Sequence, residues 1–285
     1  MITKNPMQLK AFIKKKAEEN HLPAQVVMQN YMLERLLERI SLSKYKRNFI
    51  LKGGFLIAAI VGFDSRTTMD MDTTVKGFPL THEAIRKTFE EVCAVVVDDD
   101  VTFTVSHITD IRKIDDYPGL RVHMTANYLP LAVPLKVDVT TGDKITPHEV
   151  EYSFRLMFDE RSISVLAYNL ETILAEKLET VLSRNIGNTR PRDFYDIHIL
   201  SALRGAECDM ALLRQALNKT ALKRNSLQII ENYRQIIEDI KTDPQMKGFW
   251  GAYKNEFEYA KDITFDETCE TILRMMEAIS EQSDI

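Results

Sequence analysis

Cysteine is scarce in this chain of 285 residues, and its three cysteines, Cys93, Cys208 and Cys269, stand far apart. They form no CxxC pair and no Cys/His spacing of the kind that binds zinc, so the sequence favours reduced thiols over a zinc site or a disulfide framework. No apolar run reaches the roughly 18 residues of a membrane-spanning helix, and no signal-peptide core is visible. We therefore expect a cytoplasmic protein without a membrane partner.

A strong charge of either sign is also missing. Lysine and arginine together number 37, against 42 aspartates and glutamates, which gives a net charge of −5. This balance argues against a surface broadly coated with nucleic acid, although it leaves room for a local basic groove. The six histidines have no serine or cysteine partner at a recognisable spacing, so a nucleophilic triad is not supported.

What the chain does contain is a change of pattern along its length. Residues 1–45 have apolar side chains at helical spacing, residues 46–165 contain alternating segments typical of strands, and residues 166–285 are helical again. These patterns predict an α+β protein with an N-terminal helical segment, a central domain with antiparallel strand neighbours, and a C-terminal helical domain.

Two acidic residues, Asp70 and Asp72, stand one residue apart in a stretch that alternates polar and apolar side chains. Because residues two apart in a strand share a face, the pattern predicts that both carboxylates point the same way. Like charges side by side repel each other, and a divalent cation between them removes the repulsion. Mg²⁺ bound by carboxylates together with substrate phosphates is common at phosphoryl-transfer sites.

A glycine pair precedes these carboxylates in the sequence Lys52-Gly53-Gly54, and a short apolar helix is expected to follow it. Glycine allows the backbone to approach a ligand closely, and the N–H groups at the start of a helix attract anions. A Gly-Gly pair alone is a common turn. A Gly-Gly turn followed by a short helix and then by Asp-x-Asp is a much more specific pattern, and it predicts a phosphate-binding site.

A third carboxylate is available on a later alternating segment, where Lys136, Asp138 and Thr140 would share one face. A single exposed acidic residue on a strand is ordinary. If this strand lies beside the one that carries Asp70 and Asp72, however, the three carboxylates converge and would bind two Mg²⁺ ions about 4 Å apart.

The order of these motifs resembles the minimal nucleotidyltransferase fold of the polymerase-β superfamily and, more closely, the AbiEii-type abortive-infection nucleotidyltransferases. Five motifs in order carry the resemblance: Leu51–Leu56, Arg66–Asp72, Lys136–Asp143, Leu174–Glu179 and Arg190–Ile197. The chain departs from the wider superfamily at Phe55, where a serine commonly contacts a phosphate. Backbone N–H groups would have to hold the phosphate in this protein instead.

The resemblance also implies roles for residues outside the Asp motifs. Lys177 would contact a nucleotide phosphate, and Asp193 or Asp196 would complete the catalytic site. Without the resemblance, the residues favour a different interpretation, in which the two aspartates form a local salt-bridge network at the surface with Arg190 and Arg192. For Arg66, phosphate binding and simple neutralisation of the carboxylates remain open.

Our first hypothesis is a nucleotidyltransferase that uses Mg²⁺ or Mn²⁺ and an NTP, with Asp70, Asp72 and Asp138 as metal ligands. Family resemblance implies the toxin of a toxin–antitoxin pair, with an RNA such as tRNA as acceptor and a cognate antitoxin or repressor as partner. A second hypothesis keeps the chemistry but has a protein hydroxyl as acceptor, which the acidic net charge mildly favours. A third is a non-catalytic nucleotide-binding module, and the intact set of three aspartates argues against it.

Overall fold

The computed structural model describes residues 5–111 and 119–281 of the chain. Within these residues the protein has eleven α-helices and one mixed sheet of seven strands, which confirms the predicted α+β class. The chain divides into two units: Met1–Asp143 with Glu149–Ala167, and Lys144–His148 with Tyr168–Ile285. The separate N-terminal segment and the boundary at residue 165 stay predictions.

The first unit contains the whole sheet and four helices. Its strands are β1 (Phe49–Lys52), β2 (Met71–Val75), β3 (Thr102–Asp110), β4 (Gly119–Tyr128), β5 (Leu131–Thr141), β6 (Val150–Arg155) and β7 (Ser162–Ala167). Its helices are α1 (Pro6–Glu19), α2 (Ala24–Leu42), α3 (Gly53–Val61) and α4 (His82–Cys93). The strand order across the sheet is β3-β4-β5-β2-β1-β7-β6. β2 pairs with β5, and β1 with β7, in parallel, and the other neighbours are antiparallel.

The two faces of the sheet differ in polarity because side chains alternate along β4 and β5. On β4, Val122, Met124 and Ala126 are buried, and on β5, Val137 and Val139 are buried. These residues form the core face, against which α2 and α4 pack. The intervening residues of both strands are half-buried or exposed, and they form the opposite, outward face of the sheet.

Local sequence signals explain where α4 begins. Thr81 precedes the helix, and its hydroxyl accepts a hydrogen bond from the N–H of Ala84 at 3.2 Å, as expected for an N-cap. The buried side chains of α4 include Ile85 and Phe89, which lie one helical turn apart and complete the core beneath the sheet.

Helix α2 carries a buried ionic network that the apolar pattern of the sequence does not show. The guanidinium of Arg35 contacts the Glu34 carboxylate at 2.6 Å and the Glu38 carboxylate at 2.5 Å. Glu34 also accepts a hydrogen bond from the backbone N–H of Met157. One turn further, Arg39 binds Asp99 through two hydrogen bonds of 2.7 and 2.9 Å. Pairing compensates for much of the cost of burying these charges.

The second unit is helical where the structure describes it. Its helices are α5 (Leu170–Arg184), α6 (Pro191–Arg204), α7 (Met210–Lys223), α8 (Leu227–Glu231), α9 (Tyr233–Thr242), α10 (Pro244–Glu256) and α11 (Phe265–Glu281). Asn169 caps α5 by accepting a hydrogen bond from the backbone N–H of Thr172, and Pro191 occupies the first turn of α6, where proline is favoured. None of the described helices combines the length and the apolar character needed to cross a bilayer.

The ionic network predicts a pH dependence of stability. Burial raises the pKa of Glu34 from 4.5 to about 7, although Arg35 opposes the shift. Because the folded-state pKa lies above the unfolded value, the contribution of this group to stability is full below pH 4.5. It is lost as the pH rises towards 7. Glu34→Gln has no carboxyl group to ionise at this position. From pH 5 to pH 8, the free energy of unfolding of the variant should therefore rise by on the order of 2 kcal/mol relative to that of the wild type. Urea unfolding of both proteins at the two pH values measures this change. The same difference in unfolding free energy at both pH values would contradict the prediction.

Candidate active site

The turn between β1 and α3 has a backbone conformation that requires glycine. Gly53 has a φ of +66°, in the left-handed region that side chains disfavour. A Cβ atom added at this position would collide with the carboxylate of Asp72. The absence of a side chain at Gly53 therefore allows the Asp72 carboxylate to lie directly against the backbone at the start of α3.

The second glycine of the turn lies beside an arginine. A Cβ atom at Gly54 would stand 3.2 Å from the guanidinium of Arg66 and 3.1 Å from the hydroxyl of Thr68. Arg66 is buried, and its guanidinium donates a hydrogen bond to the backbone carbonyl of Thr67. The start of α3 is thus bordered by one acidic and one basic side chain. Both roles considered for Arg66, phosphate binding and charge neutralisation, are compatible with this position.

Four charged residues form a row across the sheet. The register pairs Arg121 on β4 with Asp138 on β5, Asp138 with Asp72 on β2, and Asp72 with Lys52 on β1. Paired residues on neighbouring strands point to the same face, so the four side chains share the outward face of the sheet. We call them the charge row. Two carboxylates lie at its centre, and one cation lies at each end.

Each cation of the charge row holds a carboxylate. Arg121 donates two hydrogen bonds to the two oxygens of Asp138, at 2.7 and 2.8 Å. At the other end, the amine of Lys52 pairs with Asp143, which also accepts a hydrogen bond from Thr140 at 3.0 Å. The hydrogen bonds to Asp138 raise the pKa of Arg121, and the charges of Asp138, Asp70 and Asp72 also contribute. All three predicted carboxylates therefore act on one guanidinium.

The position of Asp70 corrects the sequence-based expectation. We expected Asp70 and Asp72 on the same strand, but β2 begins at Met71, and Asp70 lies in a bend before it. That the two carboxylates share a face stays a prediction. The hydroxyl of Thr68 is 3.4 Å from both the N–H and the carbonyl oxygen of Asp70. Threonine side chains that contact the backbone locally favour turns over strands, which explains the later start of β2.

The residue types at the charge row fit a magnesium ion, but the resting arrangement is not a complete ligand set. Carboxylate oxygens are the ligands Mg²⁺ prefers, and one or two carboxylates joined by substrate phosphates are enough. The described residues contain no group of three or more His, Cys, Asp or Glu side chains arranged to hold a metal ion. Arg121 donates a hydrogen bond to each oxygen of Asp138, so a cation at this carboxylate would compete with the guanidinium.

Arg121 is the residue that sequence reasoning missed. A single arginine in an alternating strand looks like an ordinary outward-facing side chain. The available signal was the alternation of β4, which predicts that Arg121 lies on the polar face. The partner of β4 could not be read from the sequence, so nothing indicated that this arginine would face Asp138.

The predicted residues of the second unit form a cluster of their own. The amine of Lys177 on α5 lies 2.5 Å from the carboxylate of Asp193 and 2.8 Å from that of Asp196, both on α6. The carboxylates therefore pair with Lys177, whereas the alternative that we considered paired them with Arg190 and Arg192. Burial alone would lower the pKa of Lys177, but the two carboxylates outweigh it and raise this pKa. The amine is therefore charged at neutral pH.

Comparison with known proteins links this geometry to a family. A family model described as "Nucleotidyl transferase AbiEii toxin, Type IV TA system" matches residues 35–271. No curated protein sequence matches the chain. Among solved structures, a protein from H. pylori described as a nucleotidyltransferase is similar with a TM-score of 0.50 and 14% identity, over 92% of this chain and 97% of that one. JHP933 from Helicobacter pylori is similar with a TM-score of 0.50 and 13% identity, over 92% and 94% of the two chains. At sequence identities this low, the similarity to these two structures shows that the fold is shared.

The glycine turn generates a prediction about stability. Gly53→Ala adds a Cβ atom at a positive φ and against the Asp72 carboxylate, so we expect a loss of about 1–3 kcal/mol in the free energy of unfolding. The matched control is Gly251→Ala on α10, where an added Cβ atom meets open space. Replacing a helical glycine by alanine should stabilise the protein slightly. Thermal unfolding of the two variants measures the difference, and equal stabilities would contradict the described contact between Gly53 and Asp72.

Proposed function

Because the chain belongs to the AbiEii family of nucleotidyl transferase toxins from type IV toxin–antitoxin systems, it is a nucleotidyltransferase, and we propose that Asp72 and Asp138 form the centre of its catalytic site. In the proposed reaction, an acceptor hydroxyl attacks the α-phosphorus of an NTP. A new oxygen–phosphorus bond forms, the bond to the β-phosphate bridging oxygen breaks, and pyrophosphate leaves. The observation that carries the proposal is the pairing of Asp72 with Asp138 on parallel strands, beside the glycine turn.

The metal ligands in this proposal are Asp70, Asp72 and Asp138. Mg²⁺, with Mn²⁺ as a substitute, would neutralise phosphate charge and make the acceptor hydroxyl more acidic. Asp72 would bind while held against Gly53, which limits its freedom to turn away. Asp138 would leave Arg121 and accept the proton of the acceptor hydroxyl. Asp70 approaches from the bend before β2, so it can adjust its position without breaking a strand pair.

The phosphate-binding part of the proposal uses the start of α3. The backbone N–H groups at Gly53 and Gly54 would donate hydrogen bonds to the triphosphate, supported by the partial positive charge at the helix N-terminus. Lys52 and Arg66 border this turn and would supply the counter-charges. Phe55 has no hydroxyl to contribute, so the backbone and these two cations would carry the binding.

Lys177, Asp193 and Asp196 stay part of the proposal through the family resemblance. Lys177 would contact a phosphate of the NTP, and the aspartates would position its amine. The contacts of Lys177 support the positioning role, because two carboxylates within 2.8 Å restrict the amine to one direction. The carboxylate of Asp193 has one buried oxygen without a hydrogen-bond partner, so the cluster retains an unused acceptor.

We also propose that the acceptor is an RNA, as in the first hypothesis from the sequence, and that a cognate antitoxin opposes the toxin. The acceptor class can be identified directly. The protein is incubated with each labelled NTP, total RNA and a protein extract, in Mg²⁺ or Mn²⁺, and the two pools are separated. Label in the RNA pool supports the proposal, whereas label confined to the protein pool would establish the alternative of a protein hydroxyl.

The central variants are Asp72→Asn and Asp138→Asn. Each removes a charge that the proposed metal site requires while preserving size, so we expect the transfer rate to fall at least about a hundredfold. The matched control is Asp110→Asn, which changes an exposed aspartate of the same sheet that pairs with His82. Circular dichroism should show that all three variants remain folded. Transfer at the wild-type rate by either central variant would refute the assignment.

A further inference from the structure

The order of the strands determines the side from which the acceptor must enter, if the proposed function is correct. The glycine turn follows β1, and the sheet continues from β1 through β2 and β5 to β4 and β3. In phosphoryl transfer, the attacking and leaving oxygens lie on opposite sides of the phosphorus. With the triphosphate at the turn and Asp138 accepting the proton, the acceptor hydroxyl approaches from the side of β4 and β3.

A distinct group of side chains occupies that side of the outward face. The register pairs His107 on β3 with His123 on β4, and His123 with Lys136 on β5. We call these three residues the His–Lys patch. His123 lies two residues from Arg121, and Lys136 lies two residues from Asp138. The patch therefore forms the row next to the charge row, about 7 Å away along the strands.

The two imidazoles of the patch form an aromatic platform. Their ring centroids are 4.1 Å apart, and their planes differ by 10°. His107 is exposed and His123 is half-buried, so the stacked pair is in contact with solvent. The hydroxyl of Thr109 lies 3.2 Å from Nε2 of His123 and orients this ring. A flat ring pair on a strand surface offers the same stacking contact to any nucleobase.

The charges around the platform suit an anionic backbone. Lys136 is exposed, and Arg121 stands next to the platform on β4. At the paired positions of β3, β4 and β5 that the structure describes, Asp138 is the sole acidic residue of the outward face, and Arg121 neutralises it. The other outward residues of these strands are uncharged, apart from the patch itself. On these three strands the positive charge of Lys136 therefore remains beside the Arg121–Asp138 pair, and the nearest further acidic residue of the row is Asp72, where β2 adjoins β5.

We propose that the His–Lys patch binds the end of a single-stranded nucleic acid that carries the acceptor hydroxyl. A base stacks on the His107–His123 pair, and Lys136 binds a neighbouring phosphate. The terminal hydroxyl is thereby directed along the strands to Asp138. A protein side chain can stack on the rings, but a protein acceptor carries no backbone phosphate for Lys136, so the combination of the two contacts favours a nucleic acid.

The test measures binding of a short fluorescent single-stranded RNA by anisotropy, with Mg²⁺ and without NTP. The variants are the double substitution His107→Ala with His123→Ala, and Lys136→Gln. Because stacking contributes about 1–3 kcal/mol per base, we expect the double variant to raise the dissociation constant about tenfold or more. Lys136→Gln should weaken binding and reduce its dependence on salt. A DNA strand of the same sequence shows whether the patch distinguishes ribose.

Matched controls lie on the opposite side of the sheet, on α4. His82→Ala removes an exposed histidine, and Lys87→Gln makes the same charge change as Lys136→Gln. Both should bind RNA as the wild type does, and thermal unfolding should show that every variant is folded. Wild-type affinity in the double variant, equal losses in the controls, or no RNA binding by the wild-type protein would each overturn the proposal.

A second readout separates this proposal from the proposed function on which it rests. Metal-dependent NTP binding by the wild-type protein is measured by calorimetry in the same buffer. Failure to bind NTP would count against the transfer reaction, whereas the RNA affinity of the variants reports on the patch alone. Patch-dependent RNA binding without NTP binding would identify the fold as a nucleic-acid-binding module.

Discussion

The repulsion between Asp72 and Asp138 is the constraint on which the rest of the site depends. The two residues occupy paired positions on neighbouring parallel strands, where like charges are destabilising. The protein compensates by placing Arg121 and Lys52 at the adjoining positions of the same row. Arg121 pairs with Asp138, and the amine of Lys52 pairs with Asp143. In the proposed mechanism, a divalent cation would replace Arg121 at Asp138.

In the proposed mechanism, this replacement of Arg121 by a metal ion connects the described structure to catalysis. The two hydrogen bonds from Arg121 occupy the Asp138 oxygens that a metal ion would need. A divalent cation that arrives alone must compete with the Arg121 guanidinium for Asp138. A cation that arrives bound to a triphosphate also brings phosphate oxygens, with which the guanidinium can pair in place of Asp138. We therefore expect binding of the nucleotide to be coupled to the release of Asp138 from Arg121. The glycine turn keeps Asp72 in place throughout, because its carboxylate lies against the backbone of Gly53.

The sequence predicted the local chemistry of the site better than its tertiary arrangement. Alternation correctly placed Asp138 on a strand and on its polar face, and glycine spacing predicted the turn before α3. The pairing of β2 with β5 could not be derived, because α4, β3 and β4 intervene along the chain. Arg121 was missed for the same reason. Asp70 was assigned to the strand because alternation takes no account of the threonine contact that forms a bend.

Elsewhere, the limits of prediction follow from element length and from burial. Strand β1 has only four residues, too few for an alternation of polar and apolar side chains to be recognised in the sequence. Its last residue, Lys52, nevertheless belongs to the charge row. The pattern over residues 226–240 predicts one helix, but the structure has α8 and α9 with a break at Asn232. The ionic network of α2 was invisible because glutamate and arginine at helical spacing are typical of a solvated surface. Their burial follows from tertiary contacts with Asp99 and Met157.

The most direct test of the account is to locate a cation in the protein. Crystals grown with Mn²⁺ and a non-hydrolysable NTP would be measured at the manganese absorption edge, so that anomalous scattering identifies the ion. The account predicts an anomalous peak at coordination distance from both Asp72 and Asp138, with Arg121 no longer bonded to both oxygens of Asp138. Nucleotide bound without a peak at these carboxylates, and with the Arg121–Asp138 pair intact, would contradict it.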